Sequence, residues 1–188
     1  MNSYAYLESP IGRLLLTADE AALTAIYLDP ARAPSPEERG WTADANTAPL
    51  LQAVRQLEEY FEGGRREFEL PMRPAGTDFQ RRVWSALAEI RYGETWSYGR
   101  LATRIGNPNA SRAVGLANGR NPIPIILPCH RVIGADGSLT GYGGGLERKS
   151  WLLEHEGVCS GRPARSLFAR SEDGAQAASG LRSSARSP

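Results

Sequence analysis

The spacing of apolar positions changes along the chain and divides it into a strand-rich part and a helix-rich part. Short apolar runs at residues 4–8, 13–18 and 23–28 predict three strands. Turn-forming residues around Pro10 and Gly12, and again at Asp19, separate these runs. The chain is therefore predicted to begin with a small antiparallel meander.

A helix is predicted over residues 49–62, after a loop at residues 30–49 that is rich in proline, alanine and charge. One face of this helix carries apolar residues at spacings of four, three and four, namely Leu50, Val54, Leu57 and Phe61. Gly63 and Gly64 end it. Two prolines in residues 65–76 then indicate a connection, and we place a domain boundary between residues 75 and 76.

The second part is predicted to be mostly helical. Thr77 is a suitable N-cap for a helix that continues to about Arg91, and Ser97 caps a short helix over residues 98–105. A tight turn leads to a further helix over residues 110–118. Two short helices joined in this way predict a helix-turn-helix.

The helix at 110–118 is rich in small side chains, which allow its backbone to approach another surface closely. That surface is either a neighbouring helix or a ligand, and the residues alone leave both interpretations open. The prolines of residues 121–132 exclude a helix, and their apolar neighbours require burial, so a buried extended segment carrying Cys129 and His130 is predicted. A glycine-rich turn region at 134–145 and a helix at 147–155 follow.

Together these elements predict an α+β fold, with a small antiparallel sheet and a helix in residues 1–75 and a mostly helical domain in residues 76–157. Residues 158–188 lack apolar periodicity and are predicted to be a disordered tail. The 188 residues are 41% hydrophobic and 23% charged, which are ordinary values for a globular protein with a buried core.

The formal net charge of +1 argues against a polybasic coat for nucleic acid. The charge is unevenly distributed, however. Residues 1–75 carry 7 Arg against 12 Asp and Glu, whereas residues 76–157 carry 9 Arg and one Lys against 7 acidic residues. The second part is therefore the better candidate for an anionic partner.

The chain has two cysteines and two histidines, too few for a disulfide framework and too scattered for a convincing metal site. No apolar run approaches the roughly 18 residues that span a bilayer, and the first ten residues do not resemble a signal peptide. We therefore expect a cytoplasmic protein without a metal, a membrane partner or a disulfide.

Cys129 is the main candidate for chemistry, because His130 follows it directly and could act as a base. An acidic residue such as Glu156 could orient the imidazole. In an extended segment neighbouring side chains point to opposite faces, so a direct contact between Cys129 and His130 would need a backbone bend or a bridging water. The residue types equally fit an inert buried cysteine.

Several sequence segments resemble the O6-alkylguanine-DNA alkyltransferase family. They are the acceptor motif Pro128-Cys129-His130-Arg131-Val132, the helix segment Arg112-Ala113-Val114-Gly115 with the later Asn121-Pro122, the loop Gly141-Tyr142-Gly143-Gly144-Gly145, the closing segment 151–157 and the amino-terminal Ser9-Pro10-Ile11-Gly12. The resemblance covers about residues 4–157. It implies a ribonuclease H-like first domain and a single-use DNA repair protein.

The resemblance also implies roles at the reaction site. Cys129 would accept the alkyl group of O6-alkylguanine, and of O4-alkylthymine, and would become a stable thioether. His130 would deprotonate the thiol through a water molecule, Glu156 would orient His130, and Asn121 would hold the hinge before the acceptor. The substrate would be contacted by Tyr98, Tyr142, Gly143 and Lys149. No cofactor is implied.

For DNA, the resemblance implies a monomer that binds the minor groove of a duplex with little sequence preference. Arg112 would replace a nucleotide flipped out of the stack. The small residues around it would let the helix enter the groove, namely Ala110, Ser111, Ala113 and Gly115.

The sequence departs from the pattern of the family at two places, and two other functions fit the same residues. Residues 1–128 contain no Cys or His, so the amino-terminal zinc site of some family members is absent, and Gly143 offers no side-chain hydroxyl. Cys159 is predicted to be a dispensable thiol. The alternatives are a non-catalytic helix-turn-helix module that only binds DNA, and a cysteine hydrolase that uses Cys129, His130 and Glu156.

Overall fold

The computed structural model describes residues 2–158 and has the predicted α+β fold. The strands β1 (Ser3–Leu7), β2 (Leu14–Ala18) and β3 (Leu23–Tyr27) form the antiparallel meander. A short strand β4 (Thr42–Ala43), which lies in the region predicted as a loop, pairs in parallel with β1. The sheet order is therefore β3-β2-β1-β4.

Helix α1 (Ala48–Phe61) packs against this sheet and matches its predicted bounds within one residue. The most deeply buried apolar face differs from the predicted one, because Ala53 and Tyr60 have no exposed surface whereas Val54 and Phe61 are half-buried. A spacing of three, four and three through Leu50 and Leu57 describes this face better.

Helix α2 (Asp78–Leu87) begins with a capping box, in which the Thr77 hydroxyl accepts from the Gln80 amide and the Gln80 side chain accepts from the Thr77 amide. Its predicted end at Arg91 is wrong, since the helix stops at Leu87. The chain then tightens into a turn with a 3.0 Å bond from the Ile90 amide to the Leu87 carbonyl. This turn keeps Ile90 buried without a further helical turn.

The predicted helix-turn-helix is present as α3 (Tyr98–Arg104) and α4 (Ser111–Gly119). A 3₁₀ turn, Pro108–Ala110, joins them. The Ser97 hydroxyl caps α3 by accepting from the Arg100 amide at 3.1 Å. Trp84 Nε1 donates to the Ala117 carbonyl at 2.9 Å, which fixes α4 against α2.

The remaining elements lie around Cys129 and His130. Strands β5 (Trp96–Ser97) and β6 (Val132–Ile133) pair in parallel, and helix α5 (Leu146–His155) closes the described chain. Buried side chains from both parts form one continuous core. No helix of residues 2–158 is long and apolar enough to cross a membrane. The predicted disordered tail and Cys159 lie outside the described residues.

Candidate active site

The backbone before Cys129 folds into turns instead of the predicted extended segment. The Asn121 side chain accepts from the Ile123 amide at 3.0 Å and donates to the Leu127 carbonyl at 2.7 Å. Ile125 takes a positive φ of 75° within this loop, and a 3₁₀ turn follows at Cys129–Arg131. The prediction was wrong because prolines exclude a helix but do not exclude turns, which one asparagine here holds together.

Cys129 lies at the wall of a cavity of about 560 Å³ and is 4% exposed. Burial raises the pKa of its thiol to about 11, although the Asn121 side chain and the charge of Lys149 act in the opposite direction. The thiol is therefore protonated at neutral pH in the free protein. The cavity is also lined by Ile26–Asp29 and Arg32 from the first part of the chain and by Tyr142–Arg148.

The 3₁₀ turn directs His130 and Arg131 towards one carboxylate. His130 Nε2 lies 2.8 Å from Glu156 Oε1, and Arg131 donates to both Glu156 oxygens at 2.7 and 2.9 Å. These three side chains are all buried. Burial lowers the pKa of His130, so the imidazole is neutral, and its Nδ1 makes no hydrogen bond with the described residues.

Glu156 is ionised despite its burial. Burial alone would raise its pKa, but hydrogen bonds from His130 and Arg131 and the charge of Arg131 hold that pKa well below its usual value. Tyr60 from helix α1 adds a further donor, with its hydroxyl 2.8 Å from Glu156 Oε1. The carboxylate therefore fixes the imidazole with Nε2 engaged and Nδ1 free to act as a base.

Lys149 is wholly buried on helix α5 and donates to the carbonyls of Val132 and Thr140, at 2.5 and 2.8 Å. Burial lowers its pKa to about 8, while the nearby Cys129 favours the charged form. The ammonium group consequently joins β6 to the glycine-rich loop. It also supplies positive charge near the thiol.

Two tyrosines are associated with the glycine-rich loop: Tyr98 contacts it and Tyr142 belongs to it. The Tyr98 hydroxyl donates to the Thr140 carbonyl at 3.1 Å, and its ring faces Gly115 of α4. The Tyr142 hydroxyl is buried without a hydrogen-bond partner among the described residues. Gly143 lines the cavity, where a Cβ would lie 3.2 Å from the Gly119 carbonyl, so the loop passes close to the end of α4.

Comparison with known proteins shows which family this chain belongs to. Residues 2–74 match the model of the ribonuclease-like domain of 6-O-methylguanine DNA methyltransferase, and residues 78–158 match the model of its DNA binding domain. Together the two models cover more than half of the chain. The chain belongs to the 6-O-methylguanine DNA methyltransferase family.

Individual relatives agree with this assignment. A methylated-DNA–protein-cysteine methyltransferase of Methanosarcina acetivorans is 52% identical over 83% of this chain and 99% of its own length. The crystal structure of the Mycobacterium tuberculosis O6-methylguanine methyltransferase has a TM-score of 0.75 at 52% identity, over 83% of this chain and 93% of that one. A structure of the M. tuberculosis protein in complex with DNA has a TM-score of 0.74 at 51% identity, over 82% and 92%.

Membership in the methyltransferase family makes the chain a DNA repair enzyme of the methylated-DNA–protein-cysteine methyltransferase class, with DNA as its partner. Helix α4, the second helix of the helix-turn-helix, exposes Arg112 and Ala113 to solvent. Ala110, which directly precedes it, and Ser111 and Gly115 within it are half-buried. Arg112 makes no hydrogen bond or ion pair with the described residues. None of these five predicted DNA-binding residues lines the thiol cavity, which instead reaches the end of α4 at Asn118 and Gly119.

The structure adds three side chains that sequence reasoning did not assign to the site. Arg131 and Tyr60 both contact the Glu156 carboxylate, and Asn118 Nδ2 donates to the Cys129 carbonyl at 3.3 Å. Asn118 also lines the cavity, where its Oδ1 is buried and unpartnered among the described residues. The sequence held a signal for two of them: Arg131 belongs to the acceptor motif, and Tyr60 continues the alternative helical spacing through Leu50, Ala53 and Leu57.

Proposed function

We propose that Cys129 is the acceptor of the alkyl group from O6-alkylguanine, and from O4-alkylthymine, in DNA. Its sulfur forms a bond to the alkyl carbon while the bond from that carbon to the base oxygen breaks. The electron pair of the broken bond remains with the base. The resulting thioether has no route back to a thiol in this chain, so each molecule acts once. The observation that carries this proposal is a buried thiol at a cavity wall beside a neutral, carboxylate-held imidazole.

The thiol proton leaves through His130. The imidazole Nδ1 receives it by way of a water molecule, and the ionised Glu156 stabilises the imidazolium that forms. Lys149 stabilises the developing thiolate by its charge. A raised pKa of Cys129 keeps the thiol protonated until substrate is bound, which protects it from oxidants and other electrophiles. Asn121 keeps the acceptor turn in place by its two backbone hydrogen bonds.

The damaged base is held in the cavity beside the thiol. A base stacked in a duplex cannot reach Cys129, which is 4% exposed, so the nucleotide is flipped out before reaction. Tyr142 lines the space for the alkyl group, and the backbone at Gly143 contacts the base oxygen. Tyr98 donates a hydrogen bond or a proton to the departing base. Overall, the base gains one proton and the thiol loses one to His130, so no net charge remains on the products once the imidazolium and the tyrosine have returned to their neutral forms.

Residues 76–157 form the DNA-binding and acceptor domain in this proposal. Helix α4 enters the minor groove with its small residues, and Arg112 occupies the place of the flipped nucleotide. Lesions arise in any sequence, and contacts to phosphates serve binding without sequence preference. One copy of the chain carries every residue of the site, so a monomer is sufficient.

A labelling experiment tests the proposal. Duplex DNA carrying O6-[³H-methyl]guanine is mixed with the full chain, and the labelled peptide is identified after digestion. We expect one equivalent of label on Cys129, none in Cys129→Ala, and an unchanged amount in the matched variant Cys159→Ser. DNA binding without label would instead indicate a non-catalytic binding module, and repeated turnover would indicate a hydrolase; either result overturns the proposal.

A further inference from the structure

Tyr60 joins the first part of the chain to the machinery around Cys129. It lies near the end of α1, has no exposed surface, and its hydroxyl donates to Glu156 Oε1 at 2.8 Å across 96 residues of sequence. Its carbonyl also lies 2.7 Å from His155 Nε2. A single residue of α1 therefore holds two consecutive residues at the end of α5.

We propose that Tyr60 is a positioning residue for alkyl transfer, because its hydroxyl fixes the Glu156 carboxylate in the orientation that holds His130. The proposal rests on the function given above. It adds a positioning role to residues 1–75, which already line the cavity with Ile26–Asp29 and Arg32.

The geometry of the carboxylate shows what the hydroxyl contributes. Arg131 binds both oxygens of Glu156, but it belongs to the same turn as His130. Arg131 also donates to the Ile90 carbonyl at 2.6 Å, so this turn and the carboxylate are held to the segment that follows α2. Tyr60 donates from a separate element, helix α1, and it contacts the same carboxylate oxygen, Oε1, as His130. Its loss would let the carboxylate and the imidazole shift together relative to the thiol.

The hydroxyl also affects charge. A donor on Oε1 disperses the negative charge that would otherwise stabilise a protonated His130. The other ionisable groups that face this pair are Arg131 and Lys149, whose charges oppose protonation of His130, and Tyr92 and Tyr142, which interact with Glu156. Removing the hydroxyl while these groups remain would therefore raise the pKa of His130. The base would then lose its proton only at higher pH.

The test compares Tyr60→Phe with Tyr92→Phe in the full chain. Tyr92 is a matched control, since its ring lies 6.2 Å from the Tyr60 ring and its hydroxyl donates to the His155 carbonyl instead of to the carboxylate. Each substitution removes a single hydroxyl and keeps the ring. Single-turnover methyl transfer is measured across pH, together with the affinity for O6-methylguanine duplex and the thermal midpoint of unfolding.

We expect Tyr60→Phe to lower the plateau transfer rate at least about tenfold and to move the acidic limb of the pH profile upwards, with unchanged DNA affinity. Tyr92→Phe should keep the wild-type rate and profile. An unchanged rate and profile in Tyr60→Phe, or equal changes in both variants, would overturn the inference. Labelling of Cys129 in the wild type is scored separately, so failure of the proposed function is distinguishable.

Discussion

At the scale of single residues, the site stabilises charge on some groups and suppresses it on others. Cys129 and His130 are both neutral in the free protein because burial penalises their charged forms. Glu156 is ionised because Arg131, His130 and Tyr60 all donate to its carboxylate. The thiol is therefore stored in an unreactive state. In the proposed reaction, its activation requires a bound base in the cavity and a proton acceptor.

The Glu156 carboxylate should be important for stability as well as for the reaction. Glu156→Gln removes the negative charge and leaves Arg131, which is 5% exposed, without its ionic partner. We expect the free energy of unfolding to fall by about 3–5 kcal/mol, measured by urea denaturation at pH 7.

The matched control for this variant is Glu89→Gln, which breaks an exposed pair with Arg104. Its cost should stay below about 1 kcal/mol, because solvent screens exposed ion pairs. Equal losses in the two variants would contradict the view that the buried arginine depends on Glu156.

At the scale of elements, a short turn positions the side chains around Cys129. The 3₁₀ turn Cys129–Arg131 sends consecutive side chains in two directions. The thiol of Cys129 faces the cavity, and the side chains of His130 and Arg131 both contact Glu156. Helix α4 is held from behind by the bond from Trp84 to the Ala117 carbonyl. Its outer face is thereby left available to contact DNA, with Arg112 and Ala113 exposed.

Helix α4 should be needed for extracting the base and not for the bond-making step. Arg112→Ala removes the side chain proposed to fill the flipped nucleotide's place, so the unstacking cost of a few kcal/mol is no longer partly offset. We expect transfer from O6-methylguanine duplex to slow at least about tenfold, which corresponds to about 1.4 kcal/mol.

Transfer from a free O6-alkylguanine base, which needs no flipping, should keep its rate in the same variant. Arg55→Ala on α1, whose side chain is 77% exposed, serves as the control and should leave both rates unchanged. Equal slowing of Arg112→Ala on duplex and free base would show that this residue acts on the chemistry or on the fold.

At the scale of the whole molecule, charge is distributed by function. Residues 1–75, whose net charge is negative, and residues 76–157, whose net charge is positive, share one continuous core, so the excess of positive charge lies in the part that contains the helix-turn-helix. Residues 158–188 add five Arg against two acidic residues. This excess predicts an additional phosphate interaction for the carboxyl-terminal segment.

Deleting residues 160–188 should weaken DNA binding at low salt and make the plot of log affinity against log salt shallower, by about 0.9 for each phosphate that is no longer neutralised. Fluorescence anisotropy with undamaged duplex measures both quantities. A full-length variant with the five tail arginines changed to glutamine is the matched control and should behave in the same way. An unchanged slope in both proteins would exclude the interaction.

The sequence alone determined the fold class, the bounds of most helices and strands and the residues of the acceptor motif. These depend on local properties: apolar spacing, caps such as Thr77 and Ser97, and residue order. Only the tertiary structure decided the turn at Cys129–Arg131, the raised pKa of the thiol and the contact of Tyr60 with Glu156. Each of these depends on burial and on partners distant in the chain, and periodicity carries no information about either.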